Sequence, residues 1–283
     1  CAVTVPHRTV SCLTAVGTGA GFSWTLRVGD QASPEFLPSF RSGSVLGTSY
    51  AAPIVSFFET GVEGLDPSDY NTEGGEQVQI HGRNFGVQVG AVESIRYSAP
   101  ASATFDVDVS ACAITVPHEV ITCSIAPGAG ADMEWKLVIS GQESSNPVTS
   151  YGVPVVTAIE GAAVGEASTD GGQPLTLRGE NFGPIGGAEG GPFVTAVTYG
   201  LTGTEYTVTD FTVVSHTQID FVTVPGVGKD LRVVVVVAGQ TSSPSTPTLS
   251  YAAPEITSIS PVTASTHGQV AVTVTGTNFG LLD

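Results

Sequence analysis

Apolar residues fall at every second position in short runs along this chain, and three of those runs align. In GGEQVQIHGRNFG at 74–86 the apolar positions are Val78 and Ile80. In GGQPLTLRGENFG at 171–183 they are Leu175 and Leu177, and in HGQVAVTVTGTNFG at 267–280 they are Val272 and Val274. Polar or small residues lie between. A period of two sets one face of a strand on a core and the other toward water. A further pair of runs, MEWKLVISGQ at 133–142 and LRVVVVVAGQ at 231–240, predicts an inward set of Trp135, Leu137 and Ile139, matched by Val233, Val235 and Val237. No 11-residue window carries a helical apolar face. Thirty-five Gly and 18 Pro fit many short strands joined by turns. The predicted class is all-β. The Gly that follows each aligned run (Gly82, Gly179, Gly276) predicts a bulge or a positive φ angle, and the Phe three positions later predicts a plug for one end of the core.

The runs belong to a longer repeat. Asn84–Phe85 recurs as Asn181–Phe182 and Asn278–Phe279, 97 residues apart each time. SYAAP at 49–53 recurs as SYGVP at 150–154 and SYAAP at 250–254, and APGAG at 126–130 matches VPGVG at 224–228, with AVGTG at 15–19 as a weaker copy. A period near 100 residues is that of a whole domain, too long for a solenoid unit. Residues 1–53 are expected to be the C-terminal half of one domain, 54–153 and 154–253 complete domains, and 254–283 the start of another, a window on a longer polypeptide. The links SYAAPIV, SYGVPVV and SYAAPEI leave about three residues between strands. Pro53, Pro154 and Pro254 fix φ and restrict the preceding residue, which predicts a semi-rigid head-to-tail rod in place of floppy tethers.

The run G-G-x-x-V-x-I-x-G-x-N-F-G, a later TxxxCxxPxGxG stretch, a GQxS strand end and a closing Tyr resemble the IPT/TIG family of immunoglobulin-like domains, over essentially the whole chain. The resemblance implies tandem β-sandwiches. Its members occur in plexin-like receptors, fibrocystin-like surface proteins, some DNA-binding transcription factors and polysaccharide-acting enzymes, so function has to be argued from the residues.

Charge narrows the field. Only 12% of residues are charged and the formal net charge is −17, with Lys136 and Lys229 the only lysines. Such a chain repels a phosphate backbone, so nucleic acid is not an expected partner. An anionic membrane surface is disfavoured for the same reason, and no stretch reaches the roughly 18–20 apolar residues that span a bilayer. The acidity suits solubility, divalent cations or cationic partners. Cys1 and Cys12 in CAVTVPHRTVSC match Cys112 and Cys123 in CAITVPHEVITC. The Pro-His centre between two alternating runs reads as a hairpin that sets each pair of cysteines opposite one another. Repeat three has Asp210 and Phe221 there, losing both together as a bonded pair predicts. Zinc is a poor rival, since each hairpin offers two Cys and one His where four ligands are needed. Disulfides imply an oxidising, extracellular or cell-surface setting.

Candidate chemistry is sparse. His7, His118 and His216 share one repeat position beside the hairpin turn and read as turn residues. No G-x-S-x-G elbow, P-loop or metalloprotease motif occurs, and an enzyme is not expected. Glu59, Glu63, Asp66, Asp69, Glu73 and Glu76 crowd the start of one domain, and Glu160, Glu166 and Asp170 the start of the next. Calcium is the one candidate ion, set against plain solvated acids; no cofactor is otherwise expected. Trp24 and Trp135 hold one repeat position and read as core, with sugar stacking as the rival. Val234 and Val236 make the outward face of their strand apolar, which marks them as a candidate contact with a neighbouring domain or chain, set against ordinary β-branched strand preference. TSSPSTPT at 241–248 is either a site of O-linked glycan or a polar loop. Two functional readings follow: a structural subunit or segment of an extracellular fibril, appendage or stalk, self-associating or joined to further repeats, or an adhesin or receptor ectodomain that binds a protein or glycan. The second expects a specialised loop, for which 34–47 and 183–193 are the candidates.

Overall fold

The computed structural model describes residues 1–34, 47–61, 66–98, 104–144, 147–185 and 193–280. Among these, helix is confined to two short 3-10 turns, Val89–Ala91 and Val109–Ala111. The first module contributes β1 (Ala2–Val5), β2 (Thr9–Ser11), β3 (Arg27–Val28) and β4 (Gln31–Ala32). The second runs β5 (Ile54–Thr60), β6 (Gln77–Arg83), β7 (Val92–Ser98), β8 (Thr104–Asp106), β9 (Ala113–Val116), β10 (Val120–Ser124), β11 (Met133–Ile139), β12 (Gln142–Glu143) and β13 (Val148–Thr149). The third repeats it as β14 (Val155–Glu160), β15 (Pro174–Glu180), β16 (Val194–Gly200), β17 (Tyr206–Thr207), β18 (Phe211–Ser215), β19 (Gln218–Val222), β20 (Leu231–Val237), β21 (Gln240–Thr241) and β22 (Thr248–Leu249). The last opens with β23 (Glu255–Ser260) and β24 (Thr273–Thr277).

Each of the two central modules is a sandwich of antiparallel sheets. One sheet has the order β5-β6-β10-β9, the other β12-β11-β7-β8 with β13 on β11; the third module repeats both as β14-β15-β19-β18 and β17-β16-β20-β21 with β22 on β20. The alternation read from the sequence sets the inner faces. Val78, Ile80, Ile121 and Cys123 from one sheet meet Ile95, Tyr97, Trp135, Leu137 and Ile139 from the other, all buried. Trp135 joins the layers, its ring centroid 4.8 Å from Phe58 and 4.5 Å from Tyr97, and its indole N–H donates to Thr149 Oγ1 at 2.7 Å. Core packing therefore holds Trp135. Trp24 makes the equivalent bond to Thr48 Oγ1 at 2.7 Å but is half-exposed.

In the third module volume moves from one sheet to the other. Val233 stands where Trp135 does, and Phe221 stands where Cys123 does, both buried. A core tolerates such exchanges when total volume is kept. The cysteine pairs are disulfides, Cys1–Cys12 and Cys112–Cys123, each closing a separation of 11 residues. They tie β1 to β2 and β9 to β10 at the edge of the sheet.

Gly82, Gly179 and Gly276 have ordinary φ angles, so of the two expectations, a bulge or a positive φ, it is the irregular pairing that is found, together with a close approach of the two strands. A Cβ at Gly82 would sit against the Ile54 carbonyl oxygen and 2.5 Å from the ring of Phe85, which is fully buried. Phe85 and Phe182, both fully buried, plug the core end directly over Gly82 and Gly179, while Phe279 is half-exposed. The register shift lies on the facing strand, between Val55 and Phe57, and between Val156 and Ala158 in the next copy.

Val234 departs from expectation. It is 6% exposed, covered by its own module: a Cβ added at Gly203, in the turn between β16 and β17, would lie 2.6 Å from a Val234 methyl. The chain folds its own loop over that position, so Val234 is not open to a partner. Val236 is half-buried. Val234→Lys is therefore expected to destabilise the third module itself, by the cost of burying an unpaired charge, measurable as a lower unfolding midpoint of that module.

Candidate functional site

The sequence repeats converge on the junctions between modules. The closing strand of each module ends in a Tyr, and three residues later the next module's first strand begins: Gly152, Val153 and Pro154 separate Tyr151 from β14. The Tyr hydroxyl anchors that end. Tyr151 donates to the Ala126 carbonyl at 2.6 Å and shares a 2.6 Å bond with Tyr97; Tyr251 and Tyr199 share the same bond at 2.6 Å. Burial pushes the ionisation of Tyr97, Tyr151 and Tyr251 far above the ordinary tyrosine range, so they remain neutral donors. The G-x-G landmark is explained here. A Cβ at Gly128 would lie 2.6 Å from the Tyr151 hydroxyl, and one at Gly226 would lie 2.8 Å from that of Tyr251.

Two side chains of the second module and two of the third reach back onto this link, and one of the last. Asn84, Asn181 and Asn278 all adopt positive φ (68°, 61° and 59°), a region Asn tolerates better than most residues. Each aims its amide at the link: Asn84 donates to the Ala52 carbonyl at 2.8 Å, Asn181 to Val153 at 3.3 Å and Asn278 to Ala253 at 3.1 Å. The second contact comes from the Ser-Gly-Gln or Ala-Gly-Gln turn after β11 and β20. Gln142 donates to the Tyr50 carbonyl at 3.0 Å and Gln240 to the Tyr151 carbonyl at 2.9 Å.

Side chains pack around these bonds. Thr18 and Ser140 share a hydrogen bond of 2.7 Å across the first junction. Phe105 and Phe193 stack across the second with centroids 6.0 Å apart, and His216 Nε2 lies 3.1 Å from Glu73 Oε2. Thus His216, at the turn position shared with His7 and His118, faces the preceding module. His7 and His118 serve their hairpins with φ of 62° and 66°.

The carboxylates are engaged locally, not gathered. Asp66 accepts from the Ser68 hydroxyl at 2.6 Å and from its N–H, and Asp108 does the same with Ser110; these bonds hold both below the usual carboxylate range. Asp106 pairs with Arg96 at 2.6 Å. Among the described residues no group of three His, Cys, Asp or Glu side chains is placed to hold a metal ion. Glu63 lies outside the described residues, as do most of the candidate loops 34–47 and 183–193.

A family model described as the IPT/TIG domain matches residues 62–151, 154–251 and 254–282. The chain belongs to the IPT/TIG family. No curated protein matches it. Among solved structures, the IPT/TIG array is similar to the surface glycan-binding protein PbSGBP-B from Prevotella bryantii, at 14% identity over 69% of this chain and 42% of that one, TM-score 0.39. It is also similar to SGBP-B from a complex xyloglucan utilization locus in Bacteroides uniformis, at 13% identity over 71% and 50%, TM-score 0.28. A third likeness is to the plexin A4 full extracellular region, at 16% identity over 70% and 18%, TM-score 0.31. This chain spans half or less of each of those proteins, and at such scores no function passes from them to it. Its own disulfides fit an extracellular IPT/TIG protein. Among the described residues no helix is long and apolar enough to cross a membrane.

Proposed function

We propose that these IPT/TIG modules form a load-transmitting segment of an extracellular stalk, appendage or fibril, non-catalytic and joined to further repeats or to copies of itself. The observation that carries this reading is the repeated clasp. At successive junctions Asn and Gln side chains of one module close on main-chain carbonyls of the module before. Each such bond contributes about 1 kcal/mol net. Two per junction favour the closed joint by about 2 kcal/mol, roughly a thirtyfold bias, enough to hold an angle without fusing the cores.

The test removes the clasp and leaves the sandwiches alone. In Asn181→Gly/Gln240→Ala, where Gly keeps the positive φ of residue 181, small-angle scattering is expected to show a broader distribution of end-to-end distances, with the unfolding midpoints of the modules nearly unchanged. Wild-type protein that already samples a broad range of bends would remove the basis for a stalk. An adhesive role is favoured by a different observation, an open neutral face on the second module.

A further inference from the structure

The outer face of the sheet β5-β6-β10-β9 forms a groove of about 570 Å³ lined by Gln77, Gln79, His81, Thr115, Thr122 and Ser124 among others, with no Asp, Glu, Lys or Arg in its lining. The chain as a whole carries a net charge of −17. The side-chain amides of Gln77 and Gln79 make no hydrogen bond within the described residues, and Thr122 bonds only to Thr115 at 3.1 Å. The His81 imidazole, part of this lining, stacks on Phe57, which lies outside it, with centroids 4.5 Å apart and planes 7° apart. Glu59, the one carboxylate on β5, is engaged with His81 Nε2 at 3.2 Å.

The third module supplies an internal comparison, because the same face there is closed by its own chemistry. Arg178 holds the place of His81, pairs with Glu160 Oε2 at 3.0 Å as His81 does with Glu59, and in addition donates to Gln218. Asp220 accepts from Thr176 at 2.8 Å and from Gln218 at 2.9 Å. Polar heads that satisfy one another there are, in the second module, amides and hydroxyls turned to solvent around a flat ring pair.

We propose that this groove binds a neutral oligosaccharide. Amide and hydroxyl groups donate and accept toward sugar hydroxyls, the His81 imidazole held by Phe57 offers a flat ring to C–H faces, and the volume lies within the range of small-molecule sites. The surrounding acidity excludes anionic glycans. The proposal is independent of the load-transmitting reading, since a stiff array serves equally to present a binding face.

The experiment titrates the full chain by calorimetry with neutral hexasaccharides of β-linked glucose, mannose or xylose up to about 10 mM, with an oligogalacturonate as charged control. At least one neutral sugar is expected to bind, and Gln79→Glu to weaken it about tenfold or more, because an isosteric charge then faces the groove without a partner. Gln218→Ala, on the equivalent face of the third module, should leave binding unchanged. Gln79→Glu should melt as wild type, since the side chain sits on the outer face; Gln79→Ala, melting as wild type with weakened binding, supports the same conclusion should the charged variant fold poorly. Absence of binding by every neutral sugar overturns the proposal, as does equal binding by the oligogalacturonate or insensitivity to both Gln79 variants.

Discussion

Gly82→Ala is expected to lower the stability of the second module by about 3 kcal/mol or more, at the upper end of what overpacking costs. The new methyl has nowhere to go. Behind it is the Ile54 carbonyl oxygen on the paired strand, which cannot retreat without breaking the β5–β6 ladder. Beside it is the Phe85 ring, 2.5 Å away and fully buried. Both neighbours recur at Gly179, with Val155 and Phe182, and at Gly276, with Glu255 and Phe279. Against a typical domain stability of about 5–15 kcal/mol, such a loss removes a large share of the fold. Chemical denaturation followed through Trp135 fluorescence reads it directly, because that indole is buried against Phe58 and Tyr97. Gly90→Ala is the control: its φ is ordinary and an added Cβ meets nothing within 4 Å. Equal stability of the Gly82 and Gly90 variants would show that the strand accommodates the methyl by a shift not anticipated from its packing.

Reduction of the disulfides should separate the two complete modules. The bond between Cys112 and Cys123 closes a separation of 11 residues, and a loop of that length contributes about 3 kcal/mol through restriction of the unfolded chain. The second module is expected to lose that amount in dithiothreitol. The third carries Asp210 and Phe221 at those positions and should unfold at the same denaturant concentration with or without reductant. One chain thus contains its own control. Parallel shifts in both modules would mean that they unfold as one cooperative block, with the junction between them far stronger than its two clasping hydrogen bonds allow.

The residues differ in how much of this they disclosed in advance. Val78, Ile80 and their counterparts announce strand and inner face together, since alternation has a period that only a half-buried strand satisfies. The cysteine pairs announce themselves by shared spacing and joint loss. Asn84 and Gln142 did not. Their recurrence was visible, but their acceptors are main-chain carbonyls, in the case of Gln142 one 92 residues away, and a carbonyl leaves no mark on residue identity. Gly82 disclosed only part: a bulge or a positive φ were equal readings of the residue, and the close approach of the Ile54 carbonyl that excludes a side chain there shows only in the paired strand. Val234 misled because its cover is a turn of its own module around Gly203, whose path no periodicity encodes. His81 and Phe57 lie in different strands, and only the register of β5 on β6 stacks them.

The clasps that join the modules have a consequence for how such a chain can lengthen. Because the accepting groups belong to the backbone, which every copy shares, the clasp itself is indifferent to the side chains of the unit in front, and only the packing around it differs from joint to joint. Duplicating a hundred-residue block therefore adds a working joint along with the block. Growth of the molecule requires no new interface to be invented, and shortening it leaves no mismatched seam.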